Sequence, residues 1–186
     1  ALWADEEDRP FFQEAAKVSR EYLAKACHPV TGMNAEYAEF DGSPMKRPLP
    51  WSTDRHDWFY SDAYRTVANI GLDMEWYGED MGQAKAAANL QHYLGVVRKE
   101  NPYLTYEVDG TPLTQPSLHP VGMLATTAQG ALAVIGYSEN EDEIKTAWEW
   151  VEKFWQTPLR KGDRRYYDNC LYFFAFLALS GNYRIW

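Results

Sequence analysis

The chain has 186 residues, a hydrophobic fraction of 46% and a formal net charge of −9. This length fits one domain or a large part of one, and the hydrophobic fraction supports a sizeable core, which excludes a disordered chain. The negative charge argues against sequence-independent nucleic-acid binding and against docking on an anionic membrane, because both depend on clustered Lys and Arg.

Apolar residues recur at spacings of three and four through most of the chain and predict an all-α fold. Six helices are predicted, within residues 11–26, 67–77, 84–97, 124–135, 144–154 and 168–179. Asn140 before three acidic residues predicts a helix N-cap, and Gly78 lies at a predicted helix end. The last helix is apolar nearly all round, which predicts burial on every side. No window predicts a β-strand.

Two long segments without helical pattern separate these helices, at about residues 29–58 and 101–120. Loops of this length are uncommon in a compact domain unless they have a function. We therefore expect both segments to form walls of a binding site. The alternation of short and long connections predicts three stacked helical hairpins.

The aromatic content is high, with 8 Trp, 13 Tyr and 8 Phe. Aromatic faces suit sugars, although large side chains that fill a core explain many of these residues equally well. Cys27 and Cys170 fit no zinc spacing and are expected to be free thiols, so neither a metal nor a cofactor is predicted. No signal peptide or membrane span is visible, which favours a cytoplasmic protein, but the chain begins Ala-Leu-Trp without Met.

Charged groups alternate with large aromatics in residues 54–65, where a long loop meets a helix, and the chemistry is expected within residues 59–65. Asp62 and Arg65 are three residues apart and share a face of that helix. An Arg beside an Asp keeps the carboxylate ionised and fixes its direction, as a general base requires. The alternative is an ordinary helix-start ion pair. His56 and Asp57 are interpreted as solvated loop residues rather than as partners of Asp62.

The string YSDAYRTVANIGLD at residues 60–73 resembles the signature around the catalytic base of glycoside hydrolase family 8. It is most similar to the reducing-end xylose-releasing exo-oligoxylanases of that family. Three further segments support the resemblance in the expected order: HPVTGM at 28–33 with FDG at 40–42, SLHPVG at 117–122, and RYYD at 165–168 with SGNYRI at 180–185.

The resemblance implies an (α/α)6 barrel, in which six inner helices are ringed by six outer ones, and inverting hydrolysis of β-1,4-linked sugars. It makes Asp62 the general base and Arg65 its companion. His119 matches the residue that reads the free reducing-end hydroxyl, whereas the alternative is a loop His that caps a turn. The implied sugar contacts, for which structural packing is the alternative, are Tyr60, Tyr166 and Tyr167.

The resemblance also implies a missing half. The general acid of the family is a Glu on an early helix of the barrel, and no Glu of this chain lies in matching surroundings. Residues 1–186 are therefore expected to be the C-terminal half of a single catalytic domain that acts on xylo-oligosaccharides. We expect the chain alone to be inactive or nearly so, and to bind an N-terminal half or to self-associate through an exposed apolar flank.

Several other functions remain open at the level of sequence. One is an endo-acting β-1,4-glucanase or xylanase of the same family, although Ser61 stands where the endoglucanases tend to carry an aromatic residue. A polysaccharide lyase would need a Tyr or His base and a neutraliser for uronic acids, which fits this acidic chain less well. A non-catalytic carbohydrate-binding protein and a helical interaction scaffold are the non-enzymatic alternatives.

Overall fold

The computed structural model describes residues 1–48, 50–51, 55–78 and 80–185. A 3-10 helix at Ser61–Tyr64 precedes α2, and a π-helical turn at Tyr93–Val97 continues α3. The α-helices of this described part are α1 (Arg9–Ala26), α2 (Arg65–Tyr77), α3 (Met81–His92), α4 (Pro120–Gln129), α5 (Ala131–Tyr137), α6 (Glu141–Gln156) and α7 (Arg165–Leu179). The prediction of an all-α fold is confirmed.

Local signals in the sequence explain several helix boundaries. The side chain of Asn140 accepts hydrogen bonds from two backbone N–H groups in the first turn of α6, which confirms the predicted N-cap. Gly78 ends α2 with a φ of +61°, the left-handed conformation expected at a C-cap. Asp80 caps α3 in the same way as Asn140 caps α6.

Helix α4 lies at the centre of the packing, and every residue from Gly122 to Gln129 is buried. It packs against α2, α6 and α7. The crossing with α2 is close, because a Cβ atom added at Gly71 would lie 2.4 Å from the backbone oxygen of Gln129. Glycine at residue 71 therefore lets the two helix backbones approach each other.

The fourth predicted helix differs from the structure, in which two helices occupy its place. Helix α4 ends at Gln129 and α5 begins at Ala131, with Gly130 between them. A Cβ atom at Gly130 would lie 2.6 Å from the Cγ2 atom of Val67. The apolar spacing continues across this junction, and periodicity alone therefore does not reveal it.

The absence of strands in the sequence prediction was wrong. A three-stranded antiparallel sheet is present, with the order β1 (Trp58–Phe59), β2 (Leu104–Glu107) and β3 (Pro112–Pro116). Strand β1 is too short to show alternation, and β3 begins and ends with Pro, a residue normally confined to sheet edges. The second long segment is thus largely a β-hairpin rather than an irregular loop.

The prediction that the last helix is buried on every side was also wrong for this chain. One face of α7 is exposed and aromatic, and we call it the aromatic face: Tyr166, Phe173, Phe174 and Phe176. Helix α1 is similar, because none of its residues is buried and Phe11 is 69% exposed. These faces show the apolar pattern of buried helices but are only partly covered within the described part of the chain, where Phe174 stacks on Tyr183 and Phe176 packs on Trp155.

No helix among the described residues is both long and apolar enough to cross a membrane. The cytoplasmic location stays a prediction. Both cysteines are free thiols, and Cys27 is buried, whereas Cys170 is only half-buried. Burial raises the pKa of the Cys27 thiol to about 12, so this thiol is protonated at neutral pH.

Candidate functional site

The small sheet and the central helix bring the two site-bearing segments together. Strand β1 ends at Phe59, shortly before Asp62, and β3 ends at Pro116, shortly before His119. The hydroxyl groups of Tyr64 and Ser117 are 3.1 Å apart and join the two segments directly. The sheet that the sequence did not predict therefore positions both ends of the candidate site.

The backbone turns sharply at the start of the site. Tyr60 is extended, with a φ of −153°, whereas Ser61 has a φ of +36°. A positive φ is uncommon in a residue with a side chain, and such strain is often found at functional sites. The turn starts the 3-10 helix that presents Asp62.

Two side chains hold the Asp62 carboxylate. Its Oδ2 atom lies 3.0 Å from Nη2 of Arg65, and its Oδ1 atom accepts a hydrogen bond of 2.9 Å from the Tyr167 hydroxyl. The Asp62 side chain is nevertheless 40% exposed, which leaves room for a water molecule beside it. A carboxylate that is oriented from two sides and open on a third has the geometry of a general base.

Tyr167 is a hydrogen-bond donor at this site rather than a titrating group. Burial raises its pKa most, and the adjacent Asp62 carboxylate raises it further, because a phenolate would lose the hydrogen bond and face a negative charge. The ring of Tyr167 also packs against His119, with ring centroids 4.4 Å apart. Tyr167 therefore connects the Asp62 and His119 segments.

His119 is held by a fully buried acid. Its Nδ1 atom lies 2.8 Å from Oδ2 of Asp168, whose side chain is 0% exposed. His119 occupies the N-cap position of α4, but its side chain does not cap the helix. The Oδ1 atom of Asp168 accepts from the Gly122 N–H instead, so an acid from α7 caps α4. The simple turn-capping role considered for His119 is therefore absent.

Arg160 completes this buried cluster, which we call the Asp168 cluster: His119, Gly122, Arg160 and Asp168. The guanidinium of Arg160 donates to Oδ2 of Asp168 at 2.6 Å and to the backbone oxygen of Leu118 at 2.8 Å. A guanidinium next to a buried carboxylate offsets the cost of its burial and donates a charge-assisted hydrogen bond to it. Asp168 can then fix the ring orientation of His119.

A second acidic side chain, that of Glu36, contacts the backbone of Asp62. Glu36, in the first long loop, accepts a hydrogen bond of 3.2 Å from the backbone N–H of Asp62 and lies 3.0 Å from Nδ1 of His56. Burial raises the pKa of Glu36, while the Asp62 N–H and the His56 ring oppose that rise. The interpretation of His56 as a solvated loop residue was wrong, because its ring is partly buried and packs on Tyr37.

Asp57 is also not a solvated loop residue. It is 2% exposed, and Arg55 donates two hydrogen bonds to its carboxylate. The hydrogen bonds from Arg55 lower the pKa of Asp57 against the opposing effect of burial. Arg55 also lies over the ring of Trp58, 4.5 Å from its centroid. This pair therefore stabilises the loop beside β1 rather than contacting the Asp62 carboxylate.

The remaining candidate sugar contacts lie in different environments. Tyr60 is half-buried and directly precedes the strained turn at Ser61. Tyr166 is 82% exposed on the aromatic face of α7, whereas Tyr167 points to Asp62. The structure thus brings together Asp62, Arg65, Tyr167 and His119 but leaves Tyr166 outside this network. Across the described ranges, no group of three or more His, Cys, Asp or Glu side chains forms a metal site.

Two residues of the site, Glu36 and Arg160, were not identified from the sequence, and neither was the buried role of Asp168. Glu36 and Arg160 are separated from their partners by loops, and no spacing signal marks them. Asp168 belongs to the RYYD segment, but its burial depends on contact with α4. A buried acid inside a long loop is recognised only when its partners are placed in space.

The chain is similar over its whole length to reducing-end xylose-releasing exo-oligoxylanases. It is 49% identical to the enzyme of Paenibacillus barcinonensis over 100% of this chain and 46% of that protein. It is 47% identical to the enzyme of Halalkalibacterium halodurans and 52% identical to that of Bifidobacterium adolescentis, covering 44% and 45% of those proteins. The chain thus spans about half the length of these relatives. No family model matches the chain.

Solved structures show the same relationship in three dimensions. The Paenibacillus barcinonensis enzyme complexed with xylose matches 99% of this chain and 46% of its own, with a TM-score of 0.86 and 47% identity. A variant of a reducing-end xylose-releasing exo-oligoxylanase complexed with xylobiose matches 100% of this chain with a TM-score of 0.85 and 48% identity. The predicted fold, about half of the helices of an (α/α)6 barrel, is confirmed.

Proposed function

We propose that the chain, which is 47–52% identical to three reducing-end xylose-releasing exo-oligoxylanases, contributes to hydrolysis of β-1,4-linked xylo-oligosaccharides, releasing xylose from the reducing end. Residues 1–186 form the C-terminal half of a single (α/α)6 catalytic domain in this proposal. The observation that carries it is the Asp62 carboxylate, which is oriented by Arg65 and Tyr167 and remains open to water.

Asp62 acts as the general base of an inverting reaction. It accepts a proton from a water molecule while the water oxygen bonds to the anomeric carbon of the scissile sugar. The bond from that carbon to the glycosidic oxygen breaks at the same time, and a general acid protonates the leaving oxygen. Arg65 and Tyr167 hold the carboxylate in the direction of the water.

His119 recognises the reducing end of the substrate. Because Asp168 is held as an acceptor by Arg160, the Nδ1 atom of neutral His119 carries the proton and donates to Asp168. The Nε2 atom is then an acceptor that can bind the free anomeric hydroxyl of the terminal xylose. Tyr60 and Tyr166 contribute ring faces to the sugar site.

The general acid comes from an N-terminal half that this chain does not supply. The share of the relatives that the chain covers, about 45%, leaves space in them for the remaining helices of a barrel. The aromatic face of α7 and the exposed residues of α1 are the surfaces that such a half covers. Without the acid, we expect the isolated chain to lose about 10²–10⁴-fold in rate or more.

The test uses an assembled enzyme, defined as this chain complemented by the N-terminal part of the Paenibacillus barcinonensis relative. We expect Asp62→Asn to lower kcat for xylotriose about 10²–10⁴-fold, because the amide cannot accept the proton of the water. Binding measured by calorimetry should change little. The matched control Asp109→Asn, an exposed turn residue, should keep full activity.

Two results would contradict the proposal. Full hydrolysis by the isolated, folded chain would show that no second half is needed. Unchanged turnover by the Asp62→Asn assembled enzyme would remove Asp62 from the reaction. Binding of xylotriose without turnover in the unmodified assembled enzyme would instead favour a non-catalytic carbohydrate-binding protein. Cleavage of longer xylo-oligosaccharides without release of xylose from their reducing end would favour endo action.

A further inference from the structure

Glu36 is a nearly buried acid whose two carboxylate oxygens have different partners. Its side chain is 9% exposed. Oε1 accepts from the backbone N–H of Asp62 at 3.2 Å, and Oε2 lies 3.0 Å from the His56 ring. Acidic side chains are rarely this buried unless they are paired, so its contacts indicate a specific role. Neither contact touches the Asp62 carboxylate itself.

Glu36 accepts its backbone hydrogen bond at a strained turn of the chain. Ser61, directly before Asp62, has a φ of +36°. From inside the turn, the Ala63 N–H donates to the Tyr60 oxygen at 2.9 Å. From outside the turn, the backbone N–H of Asp62 donates a hydrogen bond to Oε1 of Glu36. Such a conformation persists only when its surroundings hold it, and Glu36 supplies one of these constraints.

We propose that Glu36 is a positioning residue for the reaction: through the Asp62 backbone it sets the direction of the Asp62 carboxylate, and His56 in turn fixes Glu36. This inference rests on the proposed function, in which Asp62 is the base. The charged and titratable groups that face Glu36 are His56, Asp62, Tyr64 and Tyr167. Glu36 acts through geometry and does not contact the reacting atoms.

The effect should appear in kcat rather than in KM, because the sugar contacts are made by other residues. A displacement of a reacting group by about 1 Å can cost about 100-fold in rate. We expect Glu36→Leu in the assembled enzyme to lower kcat for xylotriose by roughly 10- to 100-fold. Glu36→Gln keeps an acceptor oxygen for the Asp62 N–H and should recover most of the wild-type kcat.

A matched control and a second variant separate positioning from general destabilisation. Glu39→Leu makes the same chemical change in the same loop, at a residue paired with Arg47, and should leave kcat unchanged. Glu36→Asp keeps the charge but shortens the reach to the Asp62 N–H. It should lower kcat even if its melting temperature equals that of Glu36→Gln, and it decides the question if Glu36→Leu does not fold.

The outcomes distinguish this inference from the proposed function. If Asp62→Asn keeps full turnover, the proposed function fails, and this inference fails with it. If Asp62→Asn is inactive while Glu36→Leu, or Glu36→Asp in its place, has the wild-type kcat, the proposed function stands and the positioning role is refuted. A fall in kcat that follows melting temperature equally in the Gln and Asp variants also refutes it.

Discussion

Replacement of Asp168 by Asn tests the buried cluster that carries His119. Asp168 is 0% exposed and accepts from Arg160, from the Gly122 N–H and from the Nδ1–H of His119. Asn has almost the same volume but only one acceptor oxygen, and its amide group donates. At least one of these three donors therefore faces another donor in the variant.

The size of the effect follows from these contacts. Loss of one partner from a buried ion pair costs about 3–5 kcal/mol, and the lower end applies because Arg160 keeps 23% exposure. We therefore expect Asp168→Asn to lower the free energy of unfolding by about 3 kcal/mol. For a chain of this length, 1 kcal/mol corresponds to about 2–4 °C, so the melting temperature should fall by about 6–12 °C.

Thermal unfolding of the chain followed by far-ultraviolet circular dichroism measures this effect. The matched control is Asp163→Asn, the same change at an exposed residue of the preceding loop, which should alter stability by less than about 0.5 kcal/mol. A melting temperature within about 2 °C of wild type for Asp168→Asn would refute the reasoning that Asp168 accepts three hydrogen bonds within a buried cluster.

Two further predictions concern stability. Gly71→Ala should lower the free energy of unfolding by about 1–3 kcal/mol, because the new methyl group would lie 2.4 Å from a backbone oxygen of α4. The control Gly136→Ala places its methyl group where no described atom lies within 4 Å, and it should leave the free energy of unfolding unchanged or raise it. Equal urea midpoints for the two variants would contradict this prediction. The hydrogen bonds from Arg20 lower the pKa of Asp73 below its ordinary value of 3.8, so its contribution is complete above that value and is lost as the pH falls through the lowered pKa. Urea titrations between about pH 5 and pH 2 should therefore show a smaller acid-induced loss in Asp73→Asn than in wild type, and parallel losses would contradict the pairing.

Much of the architecture is determined locally and was predicted from the sequence. Apolar spacing predicted the helices, because a helix must place its apolar side chains on one face whatever lies opposite. The caps at Asn140 and Gly78 were also predicted, because the side-chain preference of Asn and the backbone preference of Gly act within one turn of the helix. The ordered motifs also predicted the resemblance to exo-oligoxylanases, to one of which the chain is 49% identical over 46% of that protein's length.

Short strands and helix junctions were not predicted because their causes are not local. A two-residue strand at Trp58–Phe59 exists only because β2 lies beside it, and the helix junction at Gly130 lies where a Cβ atom would meet Val67 of α2. The burial of α7 was overestimated for a related reason. Its apolar pattern is typical of a buried helix, but the described part of this chain leaves its aromatic face exposed or only partly covered.

The sequence by itself determined which residues are candidates, because the Asp62–Arg65 pair and His119 each lie in a motif that resembles the family, whereas the spacing of the pair left an ordinary ion pair open. Only the tertiary structure decided how they are held. Tyr167 joins Asp62 to His119, Asp168 and Arg160 fix the His119 ring, and Glu36 binds the Asp62 backbone. These contacts link residues far apart in the chain, and their strength depends on burial and distance, which sequence spacing does not encode.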